Sequence, residues 1–317
     1  MSGPRWVDVE TPAVRLRALT WEPDGGAAAP IALCLHGFPD TAYGFRKLAP
    51  PLVSSGWRVI APFMRGYVPS SIPADRSYHI GALMDDALRV RDACGPTDRD
   101  IVMGHDWGAI TATGLAAMPD SPFTKAVVMS VPPAAALRKV NDAGIPRRRD
   151  LLRLIPAQLL RSWYISYFQL PALPERSSSW IVPFLWRQWS PGYNSNGLAE
   201  DLRHVDAAIG APDRWRAALG PYRATIRNTR PPSRYAKLHR MWTEPPRIPT
   251  LYLHGREDGC MSAEFARWAG TVLPEGSLNL IRRGSDRSPG PGLQDATFVN
   301  AGLGYKVNTM LSLGAGY

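Results

Sequence analysis

The sequence predicts an α/β protein, a mostly parallel sheet with an all-helical lid inserted between two of its strands. Three observations predict it. Short apolar runs alternate with amphipathic stretches from 31 to 131, the order that builds parallel strands joined by helical crossovers. Two further runs of the same kind return after 250. Between them, residues 135 to about 245 offer helical, proline-punctuated segments and no such strand.

The elements follow in order. IALCLHG (31–37), RVIAP (58–62), DIVMGHD (100–106) and KAVVMSVP (125–132) read as strands covered on both faces, with a helix over 78–94 between the second and third. TLYLHG (250–255) and SLNLIRR (277–283) resume the sheet. The expected organisation is a core over 1–134, a lid over 135–245, the rest of the core over 246–283, and an atypical tail over 284–317. That tail holds nine Gly or Pro in 34 residues and no sustained helical period, so poor order is expected there.

Composition narrows the function classes. The chain has 317 residues, 45% of them hydrophobic, which suits a globular protein with a sizeable core. No stretch approaches the roughly 18 uncharged apolar residues of a spanning helix, and the opening MSGPRWVDVE lacks the order of a signal peptide, so the expected location is cytoplasmic. Cys34, Cys94 and Cys260 have neither disulfide parity nor metal-ligand spacing and read as small core residues.

The net charge of +10 is concentrated: residues 135–250 carry 19 Lys or Arg against 8 Asp or Glu. The basic residues are scattered and no nucleic-acid module accompanies them, which argues against a nucleic-acid partner. Six of the eleven tryptophans (Trp163, Trp180, Trp186, Trp189, Trp215, Trp242) share that block. Exposed helix faces and pocket lining account for them, with peripheral contact to anionic lipid as an alternative. Oligomeric state is not legible.

GHDWG (104–108) ends one strand and opens a helix, with glycines two residues either side of Asp106. Small residues at those places permit a strained strand-to-helix turn that presents the middle side chain, here a carboxylate, at the sheet edge. An aspartate merely capping the helix is the plain alternative. HGFPD (36–40) follows the first core strand about seventy residues earlier. With both motifs in register, the sequence resembles the α/β-hydrolase family, and within it the epoxide hydrolases, from about residue 7 to about 283.

The resemblance implies a set of roles. Asp106 is the nucleophile, and a carboxylate attacking an sp³ carbon gives an alkyl ester. His36, Gly37, Phe38 and Pro39 form the oxyanion loop, whose Phe38 N–H and the Trp107 N–H hold the ester oxygen. The proton donors are Tyr164 in SWYISYFQ (162–169) and Tyr222 in PYRATIRN (221–228), with Tyr167 and Tyr193 as residues that mimic them, and Phe168 lines the substrate. Asp258 in HGRED is the acid that orients the base, with Glu257 its lesser neighbour. The expected partners are a small apolar epoxide and water; no metal or organic cofactor is implied.

The same resemblance frames the alternatives. Haloalkane or haloacid dehalogenases use this nucleophile, but Phe38 replaces the Asn common in the former and Trp107 the Arg that follows the nucleophile in fluoroacetate dehalogenases. A catalytically silent scaffold binding an apolar ligand is the reading from another class.

One member of the set is missing. The family's histidine belongs about thirty residues after Asp258, where the sequence reads RRGSDRSPGPG (282–292), and no histidine follows His254. His254 itself, at a strand end ahead of the acid loop, is poorly placed to activate water. Phe63 and Val68 also depart from the family's PDxRGxGxS. A reading-frame shift near residue 284 would produce the abrupt change of the tail, and resequencing the gene there tests it.

Overall fold

The computed structural model describes residues 3–139, 148–191, 193 and 195–282. The expected tail, and with it the expectation of poor order, lies outside the described residues. Eight strands form one sheet: β1 (Arg5–Glu10), β2 (Arg15–Trp21), β3 (Ile31–Leu35), β4 (Arg58–Pro62), β5 (Ile101–His105), β6 (Lys125–Met129), β7 (Thr250–Gly255) and β8 (Leu278–Arg282), in the spatial order β1-β2-β4-β3-β5-β6-β7-β8. The six strands from β4 to β8 pair in parallel, and every strand expected from the sequence is among them. Strands β1 and β2 extend the sheet antiparallel and were not anticipated. The signal was partial: RLRA alternates polar and apolar residues, as a half-buried strand does, before the strand becomes buried on both faces.

Helices cover the faces: α1 (Ala49–Ser54), α2 (Ile80–Ala93), α3 (Trp107–Ala116) and, after β7, α12 (Ala263–Ala269). Strands β3, β4 and β5 bury every residue or nearly so, as strands sandwiched between helices must. Between β6 and β7 run α4 (Ala134–Lys139), α5 (Arg148–Arg161), α6 (Trp163–Tyr167), α7 (Ser178–Trp189), α8 (Ser195–Ile209), α9 (Pro212–Ala218), α10 (Gly220–Ile226) and α11 (Ser233–Met241), with no strand among the described residues. This insertion is tied back to the core. Trp186 Nε1 on α7 donates to Pro39 O at 2.7 Å, and Arg46 pairs with Glu200 and Asp201 on α8. Helix α11 lies against α2, where a Cβ on Gly81 would sit 2.5 Å from Tyr235 O.

Strand β3 has β4 on one side and β5 on the other, so the connections leaving it diverge at that point of the sheet. In open α/β sheets ligands bind at the carboxyl ends of the strands beside such a divergence. The loops after β3, β5 and β7 all open there.

Candidate active site

Asp106 stands between β5 and α3 with φ 53° and ψ −118°, a left-handed conformation that a non-glycine residue adopts at a cost of about 1–3 kcal/mol. The flanking glycines make the bend sterically possible. A Cβ on Gly104 would lie 2.0 Å from Gly108 O, and one on Gly108 would lie 1.9 Å from Leu35 O. Gly37 is constrained in the same way, since a Cβ there would meet Asp106 Cβ and Oδ1 at 2.4 Å. The loop after β3 and the turn after β5 are therefore built against each other, with glycine required on both sides.

Phe38 N–H donates to Asp106 Oδ1 at 2.7 Å. Burial raises the Asp106 pKa to about 7; the N–H groups of Phe38 and Trp107 oppose the rise and the Asp258 charge adds to it. Part of the residue remains accessible. His36 braces the loop from behind. Its Nδ1–H donates to Gly37 O at 2.9 Å and its Nε2 accepts from Met64 N–H at 3.0 Å. Fully buried, it is held neutral by desolvation, which lowers its pKa to about 4.

An aromatic box closes over the carboxylate. Tyr222 packs edge-on against Trp107 at 4.8 Å between ring centroids, against Phe38 at 5.2 Å, Phe168 at 5.2 Å and Tyr164 at 5.8 Å. Phe168 in turn meets Phe38 at 5.4 Å and Tyr164 at 5.6 Å. Tyr164 and Tyr222 are buried on α6 and α10, far apart in sequence from the elbow and brought together only by the insertion. Desolvation holds both phenols well above the usual range and the Asp106 charge reinforces it, so both remain protonated. Tyr222 Oη is buried with no hydrogen-bond partner among the described residues, a donor in a box whose other polar groups include the Asp106 carboxylate, the Tyr164 hydroxyl and Trp107 Nε1. The two look-alikes are committed elsewhere: Tyr167 Oη donates to Leu173 O at 3.2 Å and Tyr193 Oη to Asp201 Oδ2 at 2.5 Å.

Asp258 follows β7. Its Oδ1 accepts from Cys260 N–H at 2.8 Å and Met261 N–H at 2.9 Å. Oδ2 lies 3.8 Å from His254 Nε2. That ring is spoken for: Nε2–H donates to Met261 O at 3.1 Å, which leaves Nδ1 to accept from Tyr252 O–H at 2.7 Å. With both nitrogens occupied and the side chain buried, His254 has no lone pair to offer a water. His105 is also held neutral, chiefly by burial. Glu257 is exposed.

Three neighbours escaped the sequence reading. Tyr67, on the loop after β4, has a buried hydroxyl with no hydrogen-bond partner among the described residues, and burial together with the Asp106 and Asp40 charges keeps it protonated. Asp40, at the end of HGFPD, is raised to about 7 by burial. Cys260, expected as a small core residue, packs against the core half-buried in the acid loop, with Sγ 3.4 Å from Tyr164 Oη. Its place beside Asp258 in sequence was the available clue.

Residues 30–275 match the family model described as alpha/beta hydrolase fold. The chain is 30% identical over 270 residues to epoxide hydrolase 4 of Mus musculus, covering 80% of this chain and 69% of that one. It is 32% identical over 182 residues to epoxide hydrolase A of Mycobacterium tuberculosis, covering 55% and 51%. The matched region thus spans about half the length of the first curated relatives. The crystal structure of an epoxide hydrolase from Vigna radiata superposes with a TM-score of 0.69 at 20% identity, covering 99% of this chain and 98% of that one, a likeness of fold. By motif, topology and family match together, this chain is a member of the α/β-hydrolase fold family whose relatives include proteins named epoxide hydrolases.

Proposed function

We propose that this protein opens an apolar epoxide through an ester on Asp106. An Asp106 carboxylate oxygen attacks a ring carbon; the C–O bond of the ring breaks, and its electron pair goes to the ring oxygen. Tyr164 or Tyr222 donates a proton to that oxygen. The ester oxygen then lies against the Phe38 and Trp107 N–H groups, which stabilise it when water attacks the ester carbon. A vicinal diol is the product.

The observation that carries this reading is the box itself: a carboxylate at a strained bend, one N–H on its oxygen at 2.7 Å, and two protonated tyrosines packed with the residues that flank it. Apolar walls fit an apolar substrate. Asp258 is the acid that would orient a base. No histidine follows it in the sequence, and His254 is occupied, so ester hydrolysis lacks its driver. Loss of a general base costs about 10² to 10⁴ in rate.

The expected behaviour is one lasting turnover. Incubation of the full chain with a reactive styrene-type epoxide, followed by intact-mass spectrometry and peptide mapping, should give one stable adduct on Asp106. Steady diol formation without adduct would overturn the defect, halide release from a haloalkane would redirect the substrate class, and no adduct with any electrophile would leave only ligand binding. We also infer contact with anionic lipid, from exposed Leu159, Leu173 and Trp180 on the basic insertion.

A further inference from the structure

The acid loop is fastened to the insertion through one short segment. Gln158 on α5 spends both ends of its amide there: Nε2 donates to Cys260 O at 2.8 Å, and Oε1 accepts from Ser262 N–H at 3.0 Å. The same Nε2 reaches Ser162 Oγ, just ahead of α6, at 2.9 Å. Gly259 N–H donates to Trp189 O at 3.2 Å, and a Cβ on Gly259 would lie 1.9 Å from Gln188 O, so the loop is pressed onto the end of α7. Within this clamp Cys260 faces two ways. Its N–H holds Asp258 Oδ1, while its Sγ lies 3.4 Å from Tyr164 Oη.

We propose that Cys260 is a positioning residue for Tyr164: its thiol donates to the phenolic oxygen, with Gln158 fixing the approach. The inference rests on the epoxide-opening role given to Tyr164 above. A thiol donating to Oη leaves the phenolic proton free for the ring oxygen. When the ring C–O bond breaks and that proton moves to the ring oxygen, the S–H bond steadies the phenolate left behind; the thiol keeps its own proton, and the phenolate recovers one from solvent. Burial, seconded by the Asp258 charge, pushes the thiol pKa upward, so the sulfur carries the hydrogen this role needs. An apolar side chain of the same size would fill the space but give Tyr164 nothing.

Single-turnover adduct formation on the full chain, followed by quenched intact-mass spectrometry over a range of styrene-type epoxide concentrations, tests it. Cys260→Val and Gln158→Leu should lower the saturating rate about three- to tenfold, the worth of one modest hydrogen bond, with the half-saturating concentration unchanged. Cys260→Ser, which restores a donor, should stay within about twofold of the parent on the same scale. In a Tyr164→Phe background Cys260→Val should have no further effect. The proposal is overturned if Cys260→Val matches the parent, if Cys260→Ser is as slow as Cys260→Val, or if the valine effect persists without the Tyr164 hydroxyl. Cys260→Ala reports the same contrast where valine disturbs packing. Absence of adduct in the parent chain would instead defeat the epoxide-opening reading, and this one with it.

Discussion

The sheet ends differently at β3 and β5 than at β7. At β3 and β5 the loop and the elbow are locked together by glycines whose Cβ positions are already filled by backbone, and the carboxylate arrives with a hydrogen bond in place. At β7 the acid loop is held by side chains of the insertion, and the histidine that the family places next is missing from the sequence. The first region is fixed by backbone packed on backbone; the second adds to the Cys260 and Met261 N–H bonds on Asp258 a fastening to the insertion through Gln158. On the function proposed above, bond formation would draw on Asp106 and the N–H groups of this backbone unit together with the two tyrosines of the insertion, while ester hydrolysis would need a histidine that the sequence does not hold after His254.

The largest test of that contrast is Asp106→Asn, which should abolish adduct formation, a loss of at least about 10³-fold, as removal of a nucleophile does. The same change should stabilise the fold. Native Asp106 keeps its proton to about pH 7, whereas in the unfolded chain it is released near 4, so between those values the native state binds more protons and stability falls as pH rises. Removing the charge recovers at most about 4 kcal/mol above pH 7, seen as a higher Tm at pH 8 than in the parent and little difference at pH 4.

Gly108→Ala should break the rigid side outright, costing more than about 3 kcal/mol because its Cβ lands on Leu35 O; urea unfolding measures it. Loss of one donor is milder. Tyr222→Phe should slow adduct formation about tenfold to a hundredfold at unchanged stability, since the second tyrosine still donates. Adduct formation should also rise with pH through about 7, following ionisation of Asp106, and then level off, as a pH–rate profile would show. Smallest is the lipid contact: co-sedimentation with anionic vesicles should weaken in high salt and in Trp180→Ala.

Much of this site was legible in one dimension. Each of the six parallel strands was marked by an apolar run, and the elbow by two glycines at fixed spacing, because local geometry and burial on both faces constrain short stretches of sequence. The edge strand β1 was not legible, being mostly exposed and thus without an apolar signature. Neither was the commitment of His254, whose ring is claimed by Tyr252 two residues back and Met261 seven residues on.

What the sequence indicated by itself was the six parallel strands, the glycine-flanked turn at Asp106 and the absence of a histidine after His254, all properties of residues close together in the chain or absent from it. Only the tertiary structure decided where the Tyr167 and Tyr193 hydroxyls are spent, on Leu173 O and Asp201, that Cys260, packed against the core, meets the phenol of Tyr164, and that Gln158 fastens the acid loop to the insertion. The Cys260 and Gln158 pairings join residues about a hundred positions apart, where no local period or turn rule acts and only the packing of the insertion on the sheet chooses the partner.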